Sequence, residues 1–364
     1  LSTSAEGERT SEMLEISYQL FFFCIGTPLN IVALKRTSCK LREGGVESRL
    51  VKLSRQLMVA HVMVLFVYGF WRSFWLYSFW WTQGDLLCKV FSFLQALPFH
   101  LWSNIVAAIA VDMLCCIRSP LSSYRTGATR VHYFIMACWG AAIVCASPMV
   151  LFRGIVPLMG EPGNVHELGP NTSLDDPGVH FQCYPLINDY PSLLLWYNLF
   201  HVLTTFYFPL GIVIACYTVI GFSLHRQMNA RRLICDGGTA TNRSSATKVR
   251  FLRATIAIVC TFVFTWLPYQ VLALLRVVCD EGSYCEKISS KIHFMQAIII
   301  ASTCINPFLY RFGTERRARG VHGSQFESTQ TRAIIVPLPC KHTTTETIPF
   351  LSNRTTSLND LRDL

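Results

Sequence analysis

The sequence predicts an all-α membrane protein, a bundle of seven transmembrane helices. Three observations point there. Of the 364 residues, 51% are hydrophobic and only 15% are charged, and the mean hydropathy is +0.36, a balance common in lipid and unusual in water. Seven stretches are long enough to cross a bilayer, which takes about 20 apolar residues in a helix. The links between those stretches alternate in charge. A large soluble helical protein is the alternative, but its helices would keep a polar stripe at a period of about 3.6 residues, and these are apolar on nearly every side.

Runs free of Asp, Glu, Lys and Arg cover 16–34, 90–111, 131–152, 190–224, 254–275 and 292–310, and 56–84 is broken only by Arg72. The first carries Pro28 and Asn30, and the second carries His61 and Arg72. The third holds Pro98 and ends at Asp112 in "IVAAIAVDMLCCIRSP", where an acid closes an apolar run and Met113 follows it. The fourth holds Trp139 and Pro148, and the fifth Pro209 and Tyr217. In the sixth, "FTWLPYQ" sets Trp266 two residues before Pro268, with Tyr269 beside it. A bulky ring near a hinge either couples a ligand above to helix rotation below or is simple core packing. The seventh, "INPFLYRF", joins Asn306 to Pro307 and ends near Tyr310; the asparagine amide is placed to bond carbonyls that the proline frees.

The link 35–55 has seven Lys/Arg against two acids, 225–253 has seven against one, and 112–130 has three arginines. Opposite them, 1–15 has four acids and one arginine, and 153–189 has five acids and one arginine. The positive-inside rule then sets the N-terminus outside and the C-terminus in the cytoplasm. This asymmetry accounts for the net charge of +10 better than nucleic-acid binding does, because the cations sit at span ends. The expected divisions are an extracellular N-terminus 1–15, the bundle 16–312, and a cytoplasmic, largely disordered tail 313–364. The Ser/Thr-rich part of that tail, 321–364, reads as phosphorylatable. No cleavable signal is evident ahead of the first run. Asn171-Thr172-Ser173 is a glycosylation acceptor in an outside link. Most of the 15 cysteines lie within spans, as small buried hydrophobes. No metal spacing, phosphate loop or nucleophile elbow occurs, so neither an enzyme nor a cofactor is expected.

Asn30 in the first span, Cys88 heading the third, Trp139 in the fourth, Trp266-x-Pro268 and Asn306-Pro307-x-x-Tyr310 resemble, in order and place, the rhodopsin-like G-protein-coupled receptors. Within that class "WTQGDLLCKVFSFL", "FRGI", "FQC", "WYNLF" and "WLPYQVLAL" are similar to stretches of gonadotropin-releasing hormone and adipokinetic hormone receptors, from which the chain diverges elsewhere. The likeness covers about 16–312.

The resemblance implies a plasma-membrane receptor for a peptide hormone or neuropeptide, coupled to a heterotrimeric G protein, with arrestin at the tail and lipid around the spans. The alternatives are a chemosensory receptor for a small molecule and a divergent chain that does not signal. It implies a bridge between Cys88 and Cys183, and a ligand cavity lined by Arg72, Trp75, Trp81, Gln95, Tyr197, Asn198, Tyr269, Gln270 and Arg276. Arg72 either faces that cavity, favouring an acidic or carbonyl-rich ligand group, or snorkels to the headgroups. Cys279 and Cys285 are a possible second bridge, Cys340 a palmitoylation site, and 311–319 a short interfacial helix. The activation switch would comprise His61, Asp112, Met113, Tyr217, Trp266, Pro268, Asn306, Pro307 and Tyr310. His61 stands where the class has an acid, which speaks against sodium control; it is either a protonatable replacement or a satisfied core histidine. Asp112 matches the acid of the Asp-Arg-Tyr motif, whose arginine is here Met113. Arg118 is six residues on and badly placed to substitute. The resting lock is therefore expected to be weak or absent, with altered basal activity or weak coupling.

Overall fold

The computed structural model describes residues 2–42, 49–161, 164–167, 176, 178–187, 190–234, 242–278 and 292–314. Helix α1 is Ser2–Arg42. Helix α2 runs as Arg49–Val64, a π-helical stretch Leu65–Arg72, and Ser73–Ser78. Helix α3 is Gly84–Arg118, and α4 is Pro120–Ala146, re-formed beyond Ser147 as Pro148–Phe152. Helix α5 joins Pro191–Val202, a π-helical Leu203–Tyr207 and Phe208–Ile234. Helices α6 and α7 are Asn242–Val278 and Ile292–Thr314. Each charge-poor run of the sequence falls on one of these seven. Six are long and apolar enough to span a membrane, and α7 carries the shorter apolar stretch Met295–Phe308.

Helices are what lipid permits, because each satisfies its own backbone polar groups. Their outward faces present Phe70, Phe74, Val144, Leu151, Phe208, Phe222 and Phe264, a belt that would aggregate in water and that acyl chains solvate. Helix α3 is the axis: 67% of its most apolar window is buried within the protein, against 17% for α1 and for α4. Pro28, Pro98, Pro268 and Pro307 lie inside helices. A proline ring clashes with the carbonyl four residues earlier; for Pro209 that residue is Thr205, inside the π-helical stretch that widens the turn there.

Helices α1 and α2 approach closely at Gly69, where an added Cβ would lie 2.5 Å from Phe23 Cβ and 3.2 Å from the Gln19 carbonyl. That contact brings the start of the α1 span against the end of α2. Between α4 and α5 the chain forms strands β1 (Arg153–Glu161), β2 (Asn164–Glu167) and β3 (Val179–Pro185). They make an antiparallel sheet in the order β2-β1-β3, with Ile155 opposite Cys183. These strands carry no clear alternation of polar and apolar residues and are not expected from the sequence.

Candidate functional site

At the end of the bundle that carries the sheet, Cys88 of α3 is disulfide-bonded to Cys183 of β3, Cα atoms 5.5 Å apart. The bridge ties the hairpin to the axial helix, and other bonds anchor it. The Trp81 N–H donates to the Phe181 carbonyl at 2.8 Å, and the Ile155 N–H donates to Asp85 Oδ1 at 3.2 Å. Trp75 Nε1 donates to Gln182 Oε1 at 3.1 Å, and the Gln182 amide donates to the Phe79 carbonyl. Phe79 has φ +60°, and the Trp80 N–H reaches back to the Ser78 carbonyl at 2.7 Å, a γ-turn that ends α2 abruptly. Trp81 is buried edge-on to Trp75, with ring centroids 5.6 Å apart. Trp75 and Trp81 thus serve first as the seat of the hairpin.

Beneath it, Tyr68 Oη donates to the Gln95 carbonyl at 3.3 Å, and Gln296 of α7 lies beside the same hydroxyl. Tyr207 Oη donates to the carbonyl of the buried Gln270 at 3.4 Å. Tyr197 packs on Phe152 with centroids 5.3 Å apart. Asn198 and Tyr269 are half-buried. The Arg276 and Tyr310 side chains, Asn171, Cys279, Cys285 and the tail beyond 314 lie outside the described residues.

Arg72 neither snorkels nor stands free in the cavity. Its Nη2 and Nε donate to Glu15 Oε1 of α1 at 2.8 and 3.0 Å, and both side chains are largely buried, at 15% and 10% exposure. Gln19 Nε2 also donates to Glu15 Oε1, at 2.7 Å, while its Oε1 accepts from Ser73. The expectation that Arg72 meets an acidic ligand is corrected: a carboxylate of the chain already holds it. Glu15 escapes the sequence reading because it closes an acidic link and lies outside the charge-free run.

Deeper, aromatic rings lead to a polar hub. Trp266 is fully buried, edge-on to Phe99 and Trp102, centroids 5.4 and 5.1 Å away. Trp102 in turn stands edge-on to His61 at 4.3 Å. Asn30 Nδ2 donates to the carbonyls of Gly26 and Thr303, so its Oδ1 is left to accept from His61 Nδ1, 3.3 Å away. Asn306 Nδ2 lies 3.1 Å from His61 Nε2, which then accepts. Both ring nitrogens are committed, and the imidazole is held neutral in its Nδ1–H tautomer. The sodium control of the class, already in doubt because His61 replaces its acid, gains no carboxylate from the neighbours of His61. Among the described residues no carboxylate bonds to the hub, and the Trp102 indole packs against its side. Thermal unfolding in sodium chloride and in choline chloride at equal ionic strength should therefore agree within about 1 °C. A sodium-selective rise of several degrees would contradict this.

At the opposite end of the bundle Asp112 is 1% exposed and well partnered. Arg130 Nη2 of α4 donates to its Oδ1 at 2.6 Å, and Arg49 Nη1 of α2 lies 3.7 Å from the same oxygen. The Ser123 hydroxyl accepts from both arginines, and the Cys116 thiol donates to Asp112 Oδ2 at 3.7 Å. The expectation that this acid lacks a lock is corrected. Met113 is buried at 2% exposure, and the charge passes to arginines of two neighbouring helices. Helix spacing within α3 could not reveal them, because the α3–α4 turn at Ser119 folds Arg130 back onto the acid. Elsewhere at this level, the Tyr217 hydroxyl is buried beside Thr255, and Trp139 Nε1 donates to Gln56 Oε1 at 3.1 Å.

A family model described as "7 transmembrane receptor (rhodopsin family)" matches residues 53–310. The chain is 22% identical to the G-protein coupled receptor daf-38 of Caenorhabditis elegans, over 84% of this chain and 90% of that one. It is 23% identical to the gonadotropin-releasing hormone receptor of Cavia porcellus, over 83% and 89%. It is 24% identical to the type-2 angiotensin II receptor of Rattus norvegicus, over 83% and 76%. The seven-helix bundle, the Cys88–Cys183 bridge and the match over most of the chain agree. The protein is a multi-pass membrane receptor and not an enzyme, with a ligand and a G protein as the partners its family implies. The chain belongs to the rhodopsin family of seven-transmembrane, G-protein-coupled receptors and resembles the gonadotropin-releasing hormone receptors among them.

Proposed function

We propose that the chain is a plasma-membrane receptor for a peptide hormone or neuropeptide, with the hairpin outside and the Asp112 end facing the cytoplasm. The observation that carries this reading is the anchored sheet between α4 and α5. Strands β1 and β3, pinned by Cys88–Cys183 and seated on Trp75 and Trp81, leave an extended backbone ledge beside the bundle mouth. A peptide needs such a surface and a small molecule does not. Relatives named for gonadotropin-releasing hormone and for angiotensin II support it.

Ligand at the mouth would touch Gln95, Tyr197, Asn198, Tyr269, Gln270 and Arg276, with Trp75 and Trp81 positioning the ledge. The contiguous rings of Trp266, Trp102 and His61 offer a route to Asn306 and Pro307. Pro268, Tyr217 and Tyr310 flank the moving ends. The ligand drives this only through unequal affinity for two bundle states. The G protein would dock near Asp112 and Met113, and arrestin on the tail 313–364. The test is a cell reporter assay with chimeric G proteins against peptide libraries and small-molecule extracts. Peptide activation abolished by substitutions in 161–182 is the expected result. Activation by small molecules alone, sensitive to Gln95→Ala and indifferent to the hairpin, would replace this reading with the chemosensory one.

A further inference from the structure

Helices α3 and α5 set two imidazoles against each other inside the bundle. His100 of α3, next to the Phe99 that meets Trp266, is fully buried. His201 of α5 is half-buried. Their rings stand edge-on with centroids 5.1 Å apart. The π-helical stretch of α5 explains how the pair is held. Across it the Phe208 N–H bonds to the Leu203 carbonyl, five residues back. The next carbonyl, that of Thr204, would need an N–H from Pro209, which has none. Freed from the helix, the Thr204 carbonyl bonds to the His100 ring instead. A ring nitrogen that faces a carbonyl carries the proton, which leaves the other nitrogen as a lone pair. Thr205 Oγ1 lies 3.4 Å from both His100 ring nitrogens, too far and too evenly shared to saturate either.

Among the described residues the His201 ring meets only other rings, those of His100 and Tyr197. The Tyr197 hydroxyl is itself buried and makes no hydrogen bond with the protein. Polar atoms left so in an apolar interior are costly unless something bonds to them. Neutral imidazole is a ligand that suits zinc, copper and nickel. Two imidazoles on one tetrahedral zinc, each nitrogen at about 2.0–2.1 Å, set their ring centroids about 5 Å apart, and this is the spacing observed. A ligating histidine is ordinarily steadied by a hydrogen bond from its other nitrogen to a carbonyl or carboxylate, the part that the Thr204 carbonyl plays for His100. No group of three or more His, Cys, Asp and Glu side chains forms among the described residues, so water fills the remaining positions, beside the Thr205 hydroxyl. Zinc-bound water sheds a proton near neutral pH, which halves the charge the apolar interior must bear.

We propose that His100 and His201 form a zinc site that clamps α3 to α5, with water completing the coordination shell. The site does not depend on the receptor reading, and its test is direct binding without signalling. The full chain, free of any affinity tag, is melted in phosphatidylcholine nanodiscs with zinc chloride or magnesium chloride, each at about 100 μM. Zinc should raise the melting temperature by about 2–4 °C. Magnesium, which requires oxygen ligands, should not. His100→Phe and His201→Phe should each abolish the rise, and the double variant should add nothing to either. X-ray absorption of wild-type protein loaded with one equivalent of zinc should show two imidazole nitrogens at about 2.0–2.1 Å and otherwise oxygen. If the variants do not fold, this spectrum decides. No rise with zinc, equal rises with zinc and magnesium, a rise that survives either histidine change, or sulfur in the zinc shell would overturn the proposal.

Discussion

Arg130→Ala is expected to lower the stability of the folded bundle by about 2–4 kcal/mol, because it strips a buried carboxylate of its shortest ion pair. The Asp112 side chain is 2% exposed and that of Arg130 20%. The estimate is set below the full cost of breaking a buried pair, to allow for water at the arginine. Arg49, at 3.7 Å and bonded to Ser123, offsets only part of that loss. Thermal unfolding of the purified protein should fall by roughly 5–10 °C. Asp112→Asn should cost less, since two partly exposed arginines are freed to turn toward water. The double variant should recover part of the Arg130→Ala loss, the mark of a coupled pair. A single Arg130→Ala variant that melts like wild type would show that the acid is not held by charge. The clamp joins α2, α3 and α4 and leaves α6 out, so breaking it should loosen the bundle end more than it releases α6.

Glu15→Gln should be as damaging at the other end. It leaves the Arg72 guanidinium, 15% exposed, beside an amide that cannot neutralise it. Gln19 and Ser73, bonded into the same network, would need to reorient. About 3–5 kcal/mol is expected for removing one member of a buried pair, again read by thermal unfolding. The paired change Glu15→Gln with Arg72→Met should return close to wild type, because a well-packed neutral pair commonly matches a buried ionic one. A loss under about 1 kcal/mol in Glu15→Gln would mean that water, not Glu15, solvates Arg72.

These two ion pairs also mark the limit of what the sequence discloses. The seven spans are legible because lipid forbids charge along a continuous run of residues, and that rule is local. The disulfide is legible only through family resemblance; nothing in the sequence shows that Ile155 and Cys183 come into register across β1 and β3. The partners of Asp112 and Arg72 are 18 and 57 residues away, fixed by how helices cross and by the turn at Ser119. Arg130 enters a sequence reading only as a loop charge for orientation, and Glu15 as one of four acids in a link. Trp102 looks like one more apolar residue until it is found against His61. The π-helical stretches at Leu65–Arg72 and Leu203–Tyr207 have no local signature, the first having no proline near it.

The Glu15–Arg72 pair bears on how the chain enters the membrane in the first place. A lone arginine disfavours the partition of a nascent span into lipid, by about 2.5–3.5 kcal/mol at the helix centre and by less toward the end of the span, where Arg72 lies. Here the acid belongs to α1, which is synthesised first, and Gly69 lets α2 lie flush against it. The counter-ion is thus already in the bilayer when Arg72 arrives. The first two helices should insert as one antiparallel hairpin, so that a defect in α1 is felt first as a failure of α2 to integrate.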